Sequence, residues 1–581
     1  MKIVTVRRIS QVFFFTLFAW LCIVSTVGDK HWQLRGWPVN WFLQLDPLVA
    51  IGTILTTHTL YWSLLWALAT VSLTIIFGRF FCSWVCPFGS LHHFAGFLCN
   101  RKKSMSQKIG LNRYRKAQRI KYFVLTFLLI MAAFPSIAAI LQTGLLDPIP
   151  LITRSFNLML LPIIDSGFNF VSAAERFYEG AWLIFAIFLT MVCLNLVVPR
   201  FYCRFICPLG ALFAVLGRFA IWRIGKKKGE CTNCKLCEKA CEGACTPAGK
   251  IRISECVLCF NCREDCRDEL IGYQTRPSLA GEITDPDVSR RGFVLSLVSG
   301  IFAVPAVRLS NKLGSNWVYS VIRPPGALPE GEFLKRCIKC GQCMRICPTN
   351  VIQPGGIEGG LENLWTPTLN NRIGSSGCQL NCVACGQVCP TSAIRPITLS
   401  EKLGVNEFAN VGPIRLGTAF VDRNRCLPWA MDKPCIVCQE NCPVSPKAIY
   451  TEEYFSTIRD GSLTVKKVTN NTIETVEKTL TAGKFASGDY YCLAESNHRG
   501  KIIANTENLI EISPDNKFVK IPPDGSKIAL QVRLQRPLID IEKCIGCGIC
   551  EHDCPVSRRK AIRVSAEGET RSRNRSMLLK S

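Results

Sequence analysis

Long apolar stretches alternate with short charged ones over the first two hundred residues. Four of them, at residues 11–27, 60–78, 122–141 and 181–198, approach the length a helix needs to cross a bilayer. The polar positions between them gather in basic clusters: Lys2, Arg7 and Arg8; the run Asn100 to Tyr122; and Arg218, Arg223 and Lys226 to Lys228. Positive residues collect on the cytoplasmic side of a membrane, so the pattern predicts four crossings, with loops near 28–59 and 142–180 on the other side. Solvated faces or RNA contacts are the alternative reading of such runs. A fifth apolar run, "SRRGFVLSLVSGIFAVPAV" (Ser289 to Val307), follows an arginine pair as an export signal does, yet lies mid-chain. The alternative there is a buried helix in a protein that stays in the cytoplasm. Further on the periodicity changes to two, in "SLTVKKVTNNTIETV" and "KIALQVRLQRPL", which predicts inserted strands near 450–537. Such an insertion suits either a partner-docking surface or a structural cover.

The apolar half contains a repeat. "LDPLVAIGTIL", a span and "RFFCSWVCPFGSL" (Arg79 to Leu91) recur as "LDPIPLI", a span and "RFYCRFICPLGAL" (Arg200 to Leu212). Related helix pairs of this kind place a shared site at their interface. Cys82, Cys86, Cys203 and Cys207 thus become candidates for one further metal centre; the alternative is a helix-breaking Cys-Pro turn with buried thiols. Asp46 and Asp147 repeat in the "LDP" motifs, either as helix caps or as proton acceptors, and His31 and His58 lie on the same side. His92 and His93 follow the first Cys-Pro motif on the opposite side.

Composition sharpens this picture through one residue type. Thirty-three cysteines in 581 residues are too many and too regular for a disulfide scaffold, which belongs to small secreted domains. Six groups follow or approximate C-x2-C-x2-C-x3-C, the spacing of two-cluster ferredoxins, in which three close thiolates hold one [4Fe–4S] cube and the fourth cysteine serves the neighbouring cube. Crossed in this way, the first pair of groups gives Cys231, Cys234, Cys237 with Cys266, and Cys256, Cys259, Cys262 with Cys241. Cys245 is a rival fourth ligand there, and the customary proline after the fourth cysteine is replaced by Glu242 and Arg267. The second pair gives Cys337, Cys340, Cys343 with Cys389, and Cys378, Cys382, Cys385 with Cys347. The third gives Cys426, Cys435, Cys438 with Cys554, and Cys544, Cys547, Cys550 with Cys442. In the last two pairs all four prolines are present, at Pro348, Pro390, Pro443 and Pro555. Cys22, Cys99, Cys193, Cys245 and Cys492 stay unassigned. Zinc is the alternative occupant for any single group. The formal charge of +26 is lowered once thiolates form, and neither a nucleic-acid motif nor a nucleotide-binding glycine loop accompanies it.

These motifs resemble two families joined end to end. Residues 1 to about 270 are similar to NapH-type membrane ferredoxins, through the spans, the two C-x3-C-P motifs and the two-cluster module. Residues from about 289 to 565 are similar to MauM/NapG-type periplasmic ferredoxins, through "SRRGFVL", "RPPGALPEGEFLKRCIKCGQCMRICP" and four cluster groups. The expected fold is an α-helical membrane domain of four spans with an internal repeat, plus a fifth span, carrying α+β ferredoxin-like modules. The expected domains are 1–228 in the membrane, 229–287 as a cytoplasmic two-cluster module, 288–308 as signal or fifth span, and 309–581 as a periplasmic four-cluster domain. The resemblance implies a quinol-dehydrogenase module in the bacterial inner membrane: an electron-transfer component with six [4Fe–4S] clusters. It would be fed by the quinone pool, with Asp46, His58 and Asp147 as quinol-site candidates, and would deliver to a periplasmic reductase or cytochrome. A redox sensor or maturation factor, and ferredoxin:quinone transfer running inward, are the rival readings.

Overall fold

The computed structural model describes residues 2–26, 37–134, 141–168, 175–227, 229–314, 321–357, 359–494, 498–516 and 522–571. His31 lies outside the described residues. The chain forms two compact bodies. The first comprises Met1–Ser375, Asn381–Ile414 and Thr570–Ser581; the second comprises Ser376–Leu380 and Arg415–Glu569.

The first body is built on helices: α1 (Ile3–Val24), α2 (Pro47–Thr57), α3 (Trp66–Phe77), α4 (Pro87–Asn100), α5 (Ile120–Ala133), α6 (Pro148–Ser155), α7 (Ala181–Cys193), α8 (Pro208–Leu216) and α9 (Arg290–Gly314). Four of them start with the same local grammar, an acceptor side chain at the N-cap followed by proline at the first helical position. Asp46 accepts hydrogen bonds from the amides of Leu48 and Val49, at 2.9 and 3.4 Å, and Asp147 accepts one from Ile149 at 3.5 Å. Cys86 Sγ accepts from Gly89 N at 3.3 Å, and Cys207 Sγ from Gly210 N at 3.1 Å. Gly89 is required by packing as well, since a Cβ there would stand 2.4 Å from the Cys82 carbonyl oxygen.

Only α1 and the stretch Arg290–Val307 of α9 are long and apolar enough, among the described residues, to cross a membrane, and no more than 28% of either is buried in the molecule. That exposure suits a lipid-facing helix better than a soluble core. The four spans expected from hydropathy are unconfirmed: two helices among the described residues meet the length. Trp62–Phe77 and Ala181–Leu196 fall in the range of 10–17 residues, and α5 has 14. At 1.5 Å per residue such helices reach at most about 25 Å, short of a hydrocarbon core of about 30 Å. A 3-10 turn opens the first of these, at Trp62–Leu65, and another closes the second, at Leu194–Leu196.

The first ferredoxin-like module, here termed proximal, pairs strand Arg223–Lys226 antiparallel with Ile271–Gln274, and Ile251–Arg252 parallel with Glu282–Ile283. Its small core joins Ile224, Ile251, Leu258, Phe260 and Ile271 to Cys237, Cys241 and Cys262. Helix α9 leaves this module beside α5. Asp287 pairs with Arg119 at 3.0 Å and accepts from Tyr114 at 2.8 Å; Gly292 then meets Phe123, and Val304 packs on Met131. The two helices therefore run parallel, and α9 carries the chain to the opposite end of the body. There the next ferredoxin-like segment, the distal module, pairs Ile352–Pro354 with Pro367–Leu369.

Compactness divides the chain differently from the expected domains. The domain expected over 309–581 divides, because the distal module packs on the helices closely enough to belong to the first body. A Cβ on Gly144 would come within 2.0 Å of the Ile338 carbonyl oxygen, so that contact requires glycine.

In the second body, the segment expected to carry inserted strands is a closed barrel in the order β3-β4-β5-β2-β1-β6. Its strands are β1 (Ile449–Thr469), β2 (Thr472–Thr475), β3 (Tyr490–Leu493), β4 (Arg499–Asn505), β5 (Leu509–Ile512) and β6 (Lys527–Ile539). Inward residues such as Leu463, Ile510, Leu530 and the wholly buried Cys492 form its core. The ends of the insertion meet in register, Ile449 opposite Ile539, and Asp540 N donates to Ala448 O at 2.8 Å. The chain thus returns beside its point of departure.

Candidate metal centres

Each cysteine loop ends in a helical turn of four or five residues, as in Leu236–Lys239, Asn261–Glu264, Gln342–Ile346 and Ile549–Asp553, which holds the third cysteine of the group against the module's core. Cys231, Cys234, Cys237 and Cys266 line one small cavity, and Cys426, Cys435, Cys438 and Cys554 another. Burial raises the pKa of Cys337, Cys340 and Cys343, and the charge of Cys389 raises all three further. Cys442 acts in the same way on Cys544, Cys547 and Cys550, whose thiols are likewise raised first by burial.

Cys241 lies within electrostatic reach of Cys259 and Cys262. Its rival Cys245 stands 3.3 Å from it, sulfur to sulfur, and also lies within electrostatic reach of Cys256. In the remaining crossed set, Cys347, Cys382 and Cys385 belong to the first body and Cys378 to the second.

The Cys-Pro cysteines come together as well: Cys82, Cys86, Cys203 and Cys207 lie within electrostatic reach of one another, delivered by two related turns. Backbone amides at the starts of α4 and α8 point at Cys86 and Cys207, and helix N-termini favour anionic sulfur. Two buried arginines from the repeat, Arg79 and Arg200, flank the set. Four thiolates with two guanidiniums suit an anionic iron–sulfur cube. Among the described residues, no three Cys, His, Asp or Glu side chains meet the geometry of a single bound ion. A cube brings its own sulfides and takes its thiolates set wider apart.

Charged groups that the sequence left without a role bind this centre to both modules. Glu242, beside Cys241, pairs with Arg7 at 2.9 Å, Arg200 at 2.8 Å and His93 at 3.2 Å. Burial alone would raise its carboxyl, but Arg200, Arg7 and His93 outweigh it and hold it well below the usual range. Arg200 also donates to Ser83 Oγ, between Cys82 and Cys86, at 3.3 Å. Glu255, beside Cys256, accepts from Lys121 at 2.5 Å and Tyr122 at 2.9 Å. Toward the distal module, the Tyr202 hydroxyl donates to the Leu146 carbonyl, and Arg154 donates to the carbonyls of Gly144 and Lys339 at 3.3 and 3.0 Å. Lys339 lies between Cys337 and Cys340 in sequence. A continuous series of contacts therefore joins the proximal module, the Cys-Pro set and the distal module.

Asp46 and Asp147 are wholly buried and lie within electrostatic reach of each other, outside the two candidate spans. Burial pushes Asp46 up to about 6, and burial with the charge of Asp46 pushes Asp147 well above the usual range. Both are helix caps. His58 is exposed at the end of α2 in a left-handed conformation, with φ 54°.

With this geometry in place, the chain is an iron–sulfur protein of ferredoxin type. Residues 59–106 and 180–228 match a 4Fe-4S binding domain family, covering both Cys-Pro turns, and residues 336–393 match a 4Fe-4S dicluster domain family in the distal module. Among curated proteins, the chain is similar to the regulatory protein NosR of Pseudomonas aeruginosa, 26% identical over 252 residues, covering 43% of this chain and 30% of NosR. It is also similar to protein NirI of Paracoccus denitrificans, 27% identical over 249 residues, covering 42% of this chain and 31% of NirI. The ferredoxin-type protein NapH of Escherichia coli is 25% identical over 245 residues, covering 40% of this chain and 75% of NapH. No solved structure matches.

Proposed function

We propose that this protein is a quinol-fed electron conduit of the bacterial inner membrane, with its proximal module in the cytoplasm and its distal modules in the periplasm. It passes electrons singly through six [4Fe–4S] clusters, and a further cluster at Cys82, Cys86, Cys203 and Cys207, to a periplasmic reductase or cytochrome. When bound, the clusters supply one-electron redox chemistry. The chain's residues space them, exclude water and neutralise their charge.

The observation that carries this reading is the position of the Cys-Pro set. Two cluster modules at opposite ends of a helical body need an intermediate centre, and four thiolates converge between them. Arg200 and Glu242 link that set to the proximal side; Tyr202 and Arg154 link it to the distal side. In this reading the helices shorter than a bilayer surround a centre buried near mid-membrane, and α1 and α9 provide the full crossings.

The test is anaerobic reduction of cluster-loaded protein in lipid by a menaquinol analogue, scored as bleaching against a dithionite end point. Substantial bleaching is expected; full bleaching by dithionite alone would overturn the quinol reading. Similarity to the regulatory protein NosR favours a second reading, a regulator whose clusters report redox state. A regulator need not turn over, so sustained reoxidation by a periplasmic acceptor separates the two.

A further inference from the structure

The proximal end of the helical body has two adjoining cavities with one shared wall. The first, of about 410 Å³, is a cleft between α1 and α4. Its sides are apolar, formed by Val12, Phe15, Phe94 and Phe97, and it opens along α1, one of the two helices able to span a membrane. Val12, Phe94 and Phe97 are 64%, 60% and 53% exposed, so the mouth faces outward where a bilayer would lie. The second cavity, of about 330 Å³, is polar, with Asn100, Lys108 and Glu242 on its walls. Arg8, His93 and Phe97 line both cavities.

The inner end of the apolar cleft lies against redox machinery on two sides. Gln11 lines it and donates to the carbonyl oxygen of Ser83, between Cys82 and Cys86, at 2.8 Å. His93 lines it and contacts Glu242, which lies within electrostatic reach of Cys259. A lipid-open aromatic cleft ending in a histidine and a carboxamide, beside two thiolate sets, matches an isoprenoid quinol: its tail is apolar, and its headgroup carries two hydroxyls. A lipid acyl chain would use the walls but not the polar end.

We propose that this cleft is the quinol site, with the headgroup against Gln11 and His93. The inference rests on the conduit reading and adds a location to it, at the opposite end of the helical body from the distal module. In the reaction the quinol becomes quinone by losing two electrons and two protons. The Cys-Pro set and Cys256, Cys259, Cys262 and Cys241 would hold the iron–sulfur clusters that take these electrons one at a time. The protons leave the two hydroxyls by way of His93 for the polar cavity behind it.

The test uses the full chain in lipid nanodiscs and a fluorescent alkyl-hydroxyquinoline N-oxide, whose quenching on binding needs no turnover. Val12→Trp fills the mouth from an exposed position, and His93→Gln alters the polar end; iron content and circular dichroism verify that both fold. Each variant is expected to weaken probe binding about tenfold or more, while Phe302→Trp, on exposed α9, leaves it unchanged. Unchanged binding in folded Val12→Trp and His93→Gln overturns the site. Quinol bleaching of wild type that persists undiminished in both variants also overturns it while leaving the conduit reading intact. Probe binding lost in both variants, with no quinol bleaching of wild type, upholds a quinone-binding cleft and removes the conduit reading instead.

Discussion

Glu242 of the proximal module reaches between Arg7 and Arg200 of the helices, and Glu255 meets Lys121; the distal module meets the same helices largely through uncharged contacts to its backbone. There Thr56 donates to the Lys335 carbonyl at 2.7 Å, Tyr178 to Met344 at 3.1 Å, Ser63 to Pro390 at 2.9 Å and Asn40 to Val388 at 2.8 Å. Two modules of similar ligand grammar are thus fastened by different physics. A buried ion-pair network concentrates the attachment in a few residues, because losing one member strands a charge. Hydrogen bonds to carbonyls distribute it, each contributing little alone.

The sharpest way to break this contrast is Glu242→Ala. It leaves Arg7 and Arg200 buried without their carboxylate and is expected to cost about 3–5 kcal/mol. Thermal unfolding together with protease access to residues 229–287 would measure the detachment. Gly144→Ala tests the distal side where backbone approaches backbone: the new methyl would enter the Ile338 carbonyl, with an expected cost of about 1–3 kcal/mol, read as distal-module protease sensitivity without proximal loss.

A third effect is confined to the distal module. Burial alone would raise Glu330, but Arg323 and Arg571 outweigh it and hold its carboxyl at about 2 against an ordinary 4.5. Its folded value is depressed, so its contribution to stability is present above about 4.5 and is lost as pH falls toward about 2. Acid titration of tryptophan fluorescence should show this loss, and Glu330→Gln should remove that component. The smallest effect is expected from Thr56→Val, about 1 kcal/mol by denaturant unfolding. A loss there as large as that of Glu242→Ala would erase the distinction between the two attachments.

The cysteine groups are visible in the sequence because spacing within a loop is local, and the structure brings two of the crossed sets, with Cys266 and with Cys554 as fourth members, around a cavity each. The Cys-Pro repeat was legible for the same reason, as cap, proline and glycine fall within four positions. The residues around them were not. Arg7 and Glu242 are 235 positions apart, Lys121 and Glu255 134, and no local pattern connects such partners. Arg79 and Arg200 stand at the head of each repeat, and that recurrence was the available signal. Hydropathy alone does not settle the number of crossings, because it counts apolar residues and does not register helix length: among the described residues two helices are long enough to cross. Barrel closure was equally hidden: alternation announces strands, but their order depends on pairings between distant segments.

The register of Ile449 with Ile539 also imposes a chronology on the second body. Cys426, Cys435 and Cys438 are synthesised before the barrel, and their fourth partner, Cys554, after it. Translation proceeds from the N-terminus, so these three thiols wait through synthesis of the whole insertion before a complete cage exists. The β1–β6 ladder joins the distant halves, and pairing of segments so far apart in sequence is slow. The insertion therefore sets how long the two halves of this cysteine set stay apart, and a variant that delays barrel closure would lengthen that interval.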